Sequence, residues 1–322
     1  VLVIIAILAG LISAVAYRGI ARAKVARISM EIQQISRALE QYKQQFGEYP
    51  PDFSDVTSDN GKSIILRHIS KAFPRYIVPD WNTLRDLIKT NSQYTINSIN
   101  YQINLDKMSP DRALVFWLGG MPDAQGKPSG FSKNPANPFE SPNTTPSRIG
   151  PFFEFNPEYM PITPPLGPTD TLPIITNVYK YYSPGLSKDS NHQYIYLRAE
   201  LGQPEPKREY YSYDNTKTPP YTIKKGASSG AQPYWDQRNQ GWENPDSFQI
   251  LCCGLDGKFG KENVYPTGLF ADAGVPDGTS GGLPNLTADV IGTDSIGFPA
   301  GNFDHIDDQT NFTKGTIGDD LP

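Results

Sequence analysis

The sequence predicts an α+β fold: one long N-terminal helix packed on a small antiparallel sheet, with long irregular loops outside it. Three observations carry this. Val25, Ile28, Ile32, Ile35, Leu39, Tyr42 and Phe46 recur at spacings of three and four without a slip, which is one apolar stripe on a helix. No proline occurs before Pro50, and Gly47, Pro50 and Pro51 stand where such a helix should stop. Beyond them, short aromatic-rich runs alternate with loops in a chain holding 18 Tyr, 30 Pro and 28 Gly.

The helix divides into two parts. Residues 1–16 are apolar except for Ser13, and residues 17–46 are amphipathic. A single helix through Phe46 would be about 69 Å long at about 1.5 Å per residue. A membrane span takes roughly 20 apolar residues. The chain opens at Val1 inside the apolar run, so a few more apolar residues and a leader are expected upstream. The competing reading is a signal peptide ending at Ala14-Val15-Ala16, an A-x-A site. Arg18, Arg22, Lys24 and Arg27 follow the apolar run, and the first acid is Glu31. These cations suit either headgroup contact by snorkelling side chains or packing. Taken alone, they would put the body on the cytoplasmic side.

Residues 47–322 form the body. Residues 62–73 and 81–90 read as short amphipathic helices, the second with Leu84, Leu87 and Ile88 on its apolar face. Residues 113–118 are a buried element of either type. Residues 122–168 read as a long irregular excursion. Strands are expected at 177–182, 193–197, 209–213 and 248–253. Residues 254–322 are rich in glycine and aspartate, and no internal repeat occurs. The two cysteines, Cys252 and Cys253, are adjacent and read as strand residues facing opposite sides, because their Cα spacing of about 3.8 Å is short for a disulfide.

Composition and motifs exclude several functions. With 29 Lys and Arg against 34 Asp and Glu, a net charge of −5 and a pI near 5.3, the chain has no basic excess to neutralise phosphates, so no nucleic-acid partner is expected. Gly278-Thr279-Ser280-Gly281-Gly282, with Asp294 and His305 after it, matches the Gly-x-Ser-x-Gly hydrolase order. Its flanks supply neither the strand nor the helix of a nucleophile elbow, so a glycine-serine loop is the reading and no enzyme is expected. Gly61-Lys62-Ser63 lacks the leading glycine of a phosphate loop, since Val56 stands there. His68, His192 and His305 lie too far apart for zinc spacing, and His68 is expected on a helix surface. Asp256, Asp272, Asp277, Asp304, Asp307 and Asp308 sit among glycines in the tail, either as a solvated acidic surface or as calcium ligands. Asp256, Asp307 and Asp308 are the candidate metal residues.

The stretch VLVIIAILAGLISAVAYRGIARAKVARISMEIQQISRALEQYKQQFGEYPPD resembles the N-terminal helix of type IV pilins and type II secretion pseudopilins. Gly47, Tyr49, Pro50 and Pro51 match the Gly-x-Tyr-Pro turn that ends that helix. The resemblance covers about the first 52 residues. Residues 113–120 (ALVFWLGG) and 248–260 (FQILCCGLDGKFG) are similar to stretches in large planctomycete-type pseudopilins. The resemblance implies a leader removed on the cytoplasmic side, a single-pass helix held in the bacterial inner membrane and a body in the periplasm. It implies assembly into a filament with other copies or related pseudopilins through the secretion machinery, with Ile5, Leu8, Leu11 and Val15 on the membrane and assembly part of the helix. It further implies a calcium loop near the C-terminus. Two other functions stay open: a type IV pilus subunit for adhesion or DNA uptake, and a secreted enzyme or carbohydrate-binding protein whose residues 1–16 are a signal peptide.

Overall fold

The computed structural model describes residues 2–96, 99–160, 179–184, 192–201, 208–210, 212–214, 221–223, 231, 233–236, 241–253, 255, 270–272 and 309–311, with the backbone alone at 5–15, 17, 18, 96, 99, 100, 201, 208, 209, 212–214, 221–223, 234–236, 241, 270–272 and 309. The helix α1 runs from Leu2 to Phe46 as one uninterrupted element. It stops at Gly47, whose φ of +83° is in the left-handed region, and the Gly47 amide donates to the Lys43 carbonyl at 2.7 Å. That is the one-bond left-handed cap, and Pro50 and Pro51 then keep the chain extended.

Two helices follow. The helix α2 (Asp59–Ala72) is capped by Ser58, whose hydroxyl accepts from the Gly61 amide. The helix α3 (Trp81–Asn91) is capped by Asp80, which accepts from Thr83. In both, a short polar side chain satisfies an amide that the first turn leaves unpaired. The segment of either type is helical: α4 (Pro110–Leu114) passes directly into a π turn over Val115–Gly119, and every residue from Pro110 to Met121 is buried. An apolar run wrapped on all sides shows no periodicity, which is why its sequence left both types open.

The described strands form several small antiparallel sheets rather than the single sheet expected. β1 (Tyr94–Ile96) pairs with β2 (Ile99–Tyr101), and β3 (Phe131–Ser132) with β4 (Arg148–Ile149). β6 (Glu200–Leu201) pairs with β7 (Arg208–Glu209), and β8 (Ser212–Asp214) with β9 (Tyr221–Ile223). β10 (Tyr234–Asp236) lies between β11 (Gly241–Trp242) and β13 (Phe270–Asp272). β12 (Phe248–Cys252) lies between β5 (Ile195–Arg198) and β14 (Gln309–Thr310). This last sheet is central: all five residues of β12 are buried, β5 neighbours α4, and β14 neighbours α1. The stretch 177–182 contributes only the bridge Tyr182–Gln193 among its described residues, and 209–213 is divided between β7 and β8.

The core is aromatic and centred on Trp117. Its ring stacks on Phe53 at 5.4 Å and lies edge-on to His68 and Phe116. Its indole N–H donates to the Pro51 carbonyl at 2.8 Å, satisfying the one polar atom that burial would otherwise strand. Phe53 holds a φ of +59°, rare for a side chain of this bulk, and the stack on Trp117 fixes it there.

Candidate assembly helix and its seat in the body

The stripe on α1 is buried along most of its length. Ile28, Ile32, Ile35, Leu39 and Tyr42 are at most 1% exposed, and Phe46 is 6% exposed. Val25 departs from this and is only partly buried among the described residues. The seat also differs from the single sheet expected, since β14, α2 and the π turn share it. Toward the N-terminus, Leu2 (83%), Val3 (71%), Ile4 (62%) and Ile20 (59%) are exposed. Ile5, Leu8, Leu11 and Val15 lie on the same helix, with their side chains outside the described residues.

Where α1 leaves the body, Glu31 is held by two tyrosines remote in sequence. The Tyr181 hydroxyl donates to one carboxylate oxygen at 2.7 Å and the Tyr194 hydroxyl to the other at 2.6 Å. The two rings stack on each other at 5.8 Å. Burial pushes the Glu31 carboxyl above its ordinary range, while both tyrosines and Arg27 pull it down.

At the other end of the seat, a polar chain ties α1 to α2. Tyr42 Oη and His68 Nε2 are 2.9 Å apart, and His68 Nδ1 lies 2.7 Å from Glu48, which Lys71 also contacts at 3.0 Å. His68 is therefore fully buried, not on a helix surface. The reason is its place on the buried face Gly61, Ile65, His68, Ile69, spaced by four, three and one. Burial holds the imidazole below its usual pKa, so it is neutral near pH 7, with Nδ1–H donating to Glu48 and Nε2 accepting from Tyr42. The hydrogen bond from His68, helped by Lys71, lowers the Glu48 pKa to about 2.

Glu48 therefore adds stability that is fully present above about pH 4.5 and is lost as pH falls toward 2. We expect Glu48→Gln to lower the unfolding free energy at pH 6 by roughly 2 kcal/mol, after discounting for partial exposure, with the gap closing near pH 2. Urea titrations of both proteins across that range check this. A gap independent of pH would assign the loss to packing.

The turn after the helix is stitched to the body residue by residue. The Tyr49 hydroxyl donates to Glu40 at 2.6 Å, and the Pro50 carbonyl accepts from Tyr196 at 2.8 Å. Asp52, fully buried, accepts from the Ser54 and Arg198 amides at 2.9 Å each. The resulting arrangement clamps a long helix to the body at both ends of their contact.

The other motif residues separate into two groups. Asp256, Asp307 and Asp308 lie outside the described residues, as do Ser280, Asp294 and His305. Gly61 packs against the Asp55 carbonyl so closely that a Cβ would lie 1.6 Å from it, which leaves no cradle for a phosphate. Cys252 and Cys253 are buried free thiols. Among the described residues, no group of three or more His, Cys, Asp or Glu could hold a metal ion, and no helix is long and apolar enough to cross a membrane. Glu31 and its tyrosine partners had no local signal, because the pairs span 150 and 163 residues.

No protein-family model, no curated protein and no solved structure matches this chain.

Proposed function

We propose that the chain is a pseudopilin-type filament subunit, anchored in the bacterial inner membrane by residues 1–16, with residues 47–322 as a body in the periplasm. The observation that supports this is the division of α1. From Ile28 to Phe46 its stripe is satisfied within its own chain, while Leu2, Val3 and Ile4 stand exposed on the same continuous helix. Apolar side chains of that size need lipid or neighbouring helices around them. In this reading the apolar part is stored in the bilayer and then packs against other copies or related subunits, so assembly exchanges lipid for helix without refolding the body. Its role in protein export is to build that filament with the secretion machinery.

The test is fractionation of the full chain with assembly blocked. The wild type is expected in the inner membrane. Ile5→Arg with Leu8→Arg is expected to abolish insertion, since each mid-bilayer arginine costs about 2.5–3.5 kcal/mol on insertion scales. Recovery of the wild type as periplasmic protein beginning at Tyr17 would favour the signal-peptide reading and overturn this one.

A further inference from the structure

We infer that Arg22, Lys24 and Arg27 form a cationic collar that binds the anionic headgroups of phospholipids around the base of the helix. The inference rests on the membrane reading above and specifies which lipids the helix selects. Residues 1–30 hold four Lys and Arg and no acid, whereas the remaining chain holds 25 Lys and Arg against 34 Asp and Glu. The collar is thus a local reversal of sign on an acidic protein. Arg22 and Arg27 are exposed and Lys24 half-buried, and among the described residues none of the three forms an ion pair. The nearest acid on the helix, Glu31, accepts from two tyrosine hydroxyls, and Arg27 acts on it through space without forming an ion pair.

The spacing fits a headgroup layer. Arg22 to Arg27 spans about 7.5 Å, close to the depth of one headgroup layer. At about 100° per residue, Lys24 and Arg27 lie about 200° and 140° around the helix from Arg22, so the charge faces opposite sides. Headgroups surround a spanning helix on all sides and complement that distribution. The acidic body of a second copy would approach from one side and meet only part of it.

The full chain, reconstituted in phosphatidylcholine vesicles with a trace of spin-labelled phosphatidylglycerol or phosphatidylcholine, tests this through the immobilised lipid fraction. Phosphatidylglycerol is expected to be preferred by at least about fivefold at low salt, the effect of one engaged cation at an anionic surface. The preference should fall toward one in 1 M salt and drop in the R22Q/K24Q variant, which leaves the Arg27–Glu31 interaction in place and whose melting temperature should match the wild type. A wild-type ratio of one, or a variant that keeps the preference, overturns the collar while leaving the membrane reading intact. Salt-sensitive self-association lost in the variant, with a lipid ratio of one, would instead assign these cations to a second copy. No immobilised lipid of either kind would overturn both.

Discussion

Ile32→Asp is expected to unfold the body. Ile32 sits mid-stripe at 1% exposure, between Ile28 and Ile35, which are fully buried. Truncating a buried isoleucine costs about 2–5 kcal/mol through lost transfer and the cavity left behind. Adding a carboxyl with no partner, ionised or neutralised, costs a few kcal/mol more. The total is comparable with the whole stability of a typical domain, about 5–15 kcal/mol. Limited proteolysis and near-ultraviolet circular dichroism of the detergent-solubilised chain should show loss of the tertiary fold. Ile5→Ala on the same helix should leave the melting curve unchanged and reduce polymerisation alone. A folded Ile32→Asp protein would mean that the body does not need α1 as a core element, and the proposed division of the helix would fail with it.

Gly120→Ala is the second large effect. Gly120 ends the π turn with φ 75° and ψ −152°, a region open to glycine and almost closed to other residues. A Cβ there would lie 2.3 Å from the Gly130 carbonyl carbon and 2.5 Å from its Cα. These are backbone atoms, fixed by the Gly130 amide donating to the Gly119 carbonyl and the Met121 amide donating to the Gly130 carbonyl. No rotamer change relieves the contact. Backbone strain of about 1–3 kcal/mol adds to the clash, so a loss above about 3 kcal/mol is expected in urea unfolding. Ala at Gly47, also at positive φ but with only the flexible end of Lys71 nearby, should lose far less. Equal losses at the two positions would show that the close approach to Gly130 contributes nothing.

The elements legible in the sequence were those with local causes. The α1 stripe follows from its three-four spacing, its end from Gly47 and Pro50, and α2 and α3 from their one-sided apolar faces, although the expected start of α2 at residue 62 missed its Ser58 cap. Phe248–Cys252 was readable from Phe248 and the apolar residues Ile250 to Cys253, although the buried Gln249 interrupts them. What stayed hidden depended on distant partners. The sequence does not reveal that Glu31 meets Tyr181 and Tyr194, or that residues 309–310 add an edge to β12 beside α1. The placement of His68 was recoverable: it shares the helical spacing of Gly61, Ile65 and Ile69, and its polarity obscured that signal. Val25 shows the opposite case, since a stripe reveals which face is buried but not how far the partner extends along it.

The seat of α1 also determines how the molecule carries force. Traction along the helix axis loads the row from Ile28 to Phe46 in shear, so those contacts resist together and the Glu31 and Glu48 attachments share the load. A sideways push at Leu2 acts about 39 Å from Ile28 against a seat of about 27 Å, with its fulcrum near Glu31. The contacts nearest the fulcrum then bear most of the load and are peeled one after another. The body should therefore withstand far more pull along the helix than deflection across it.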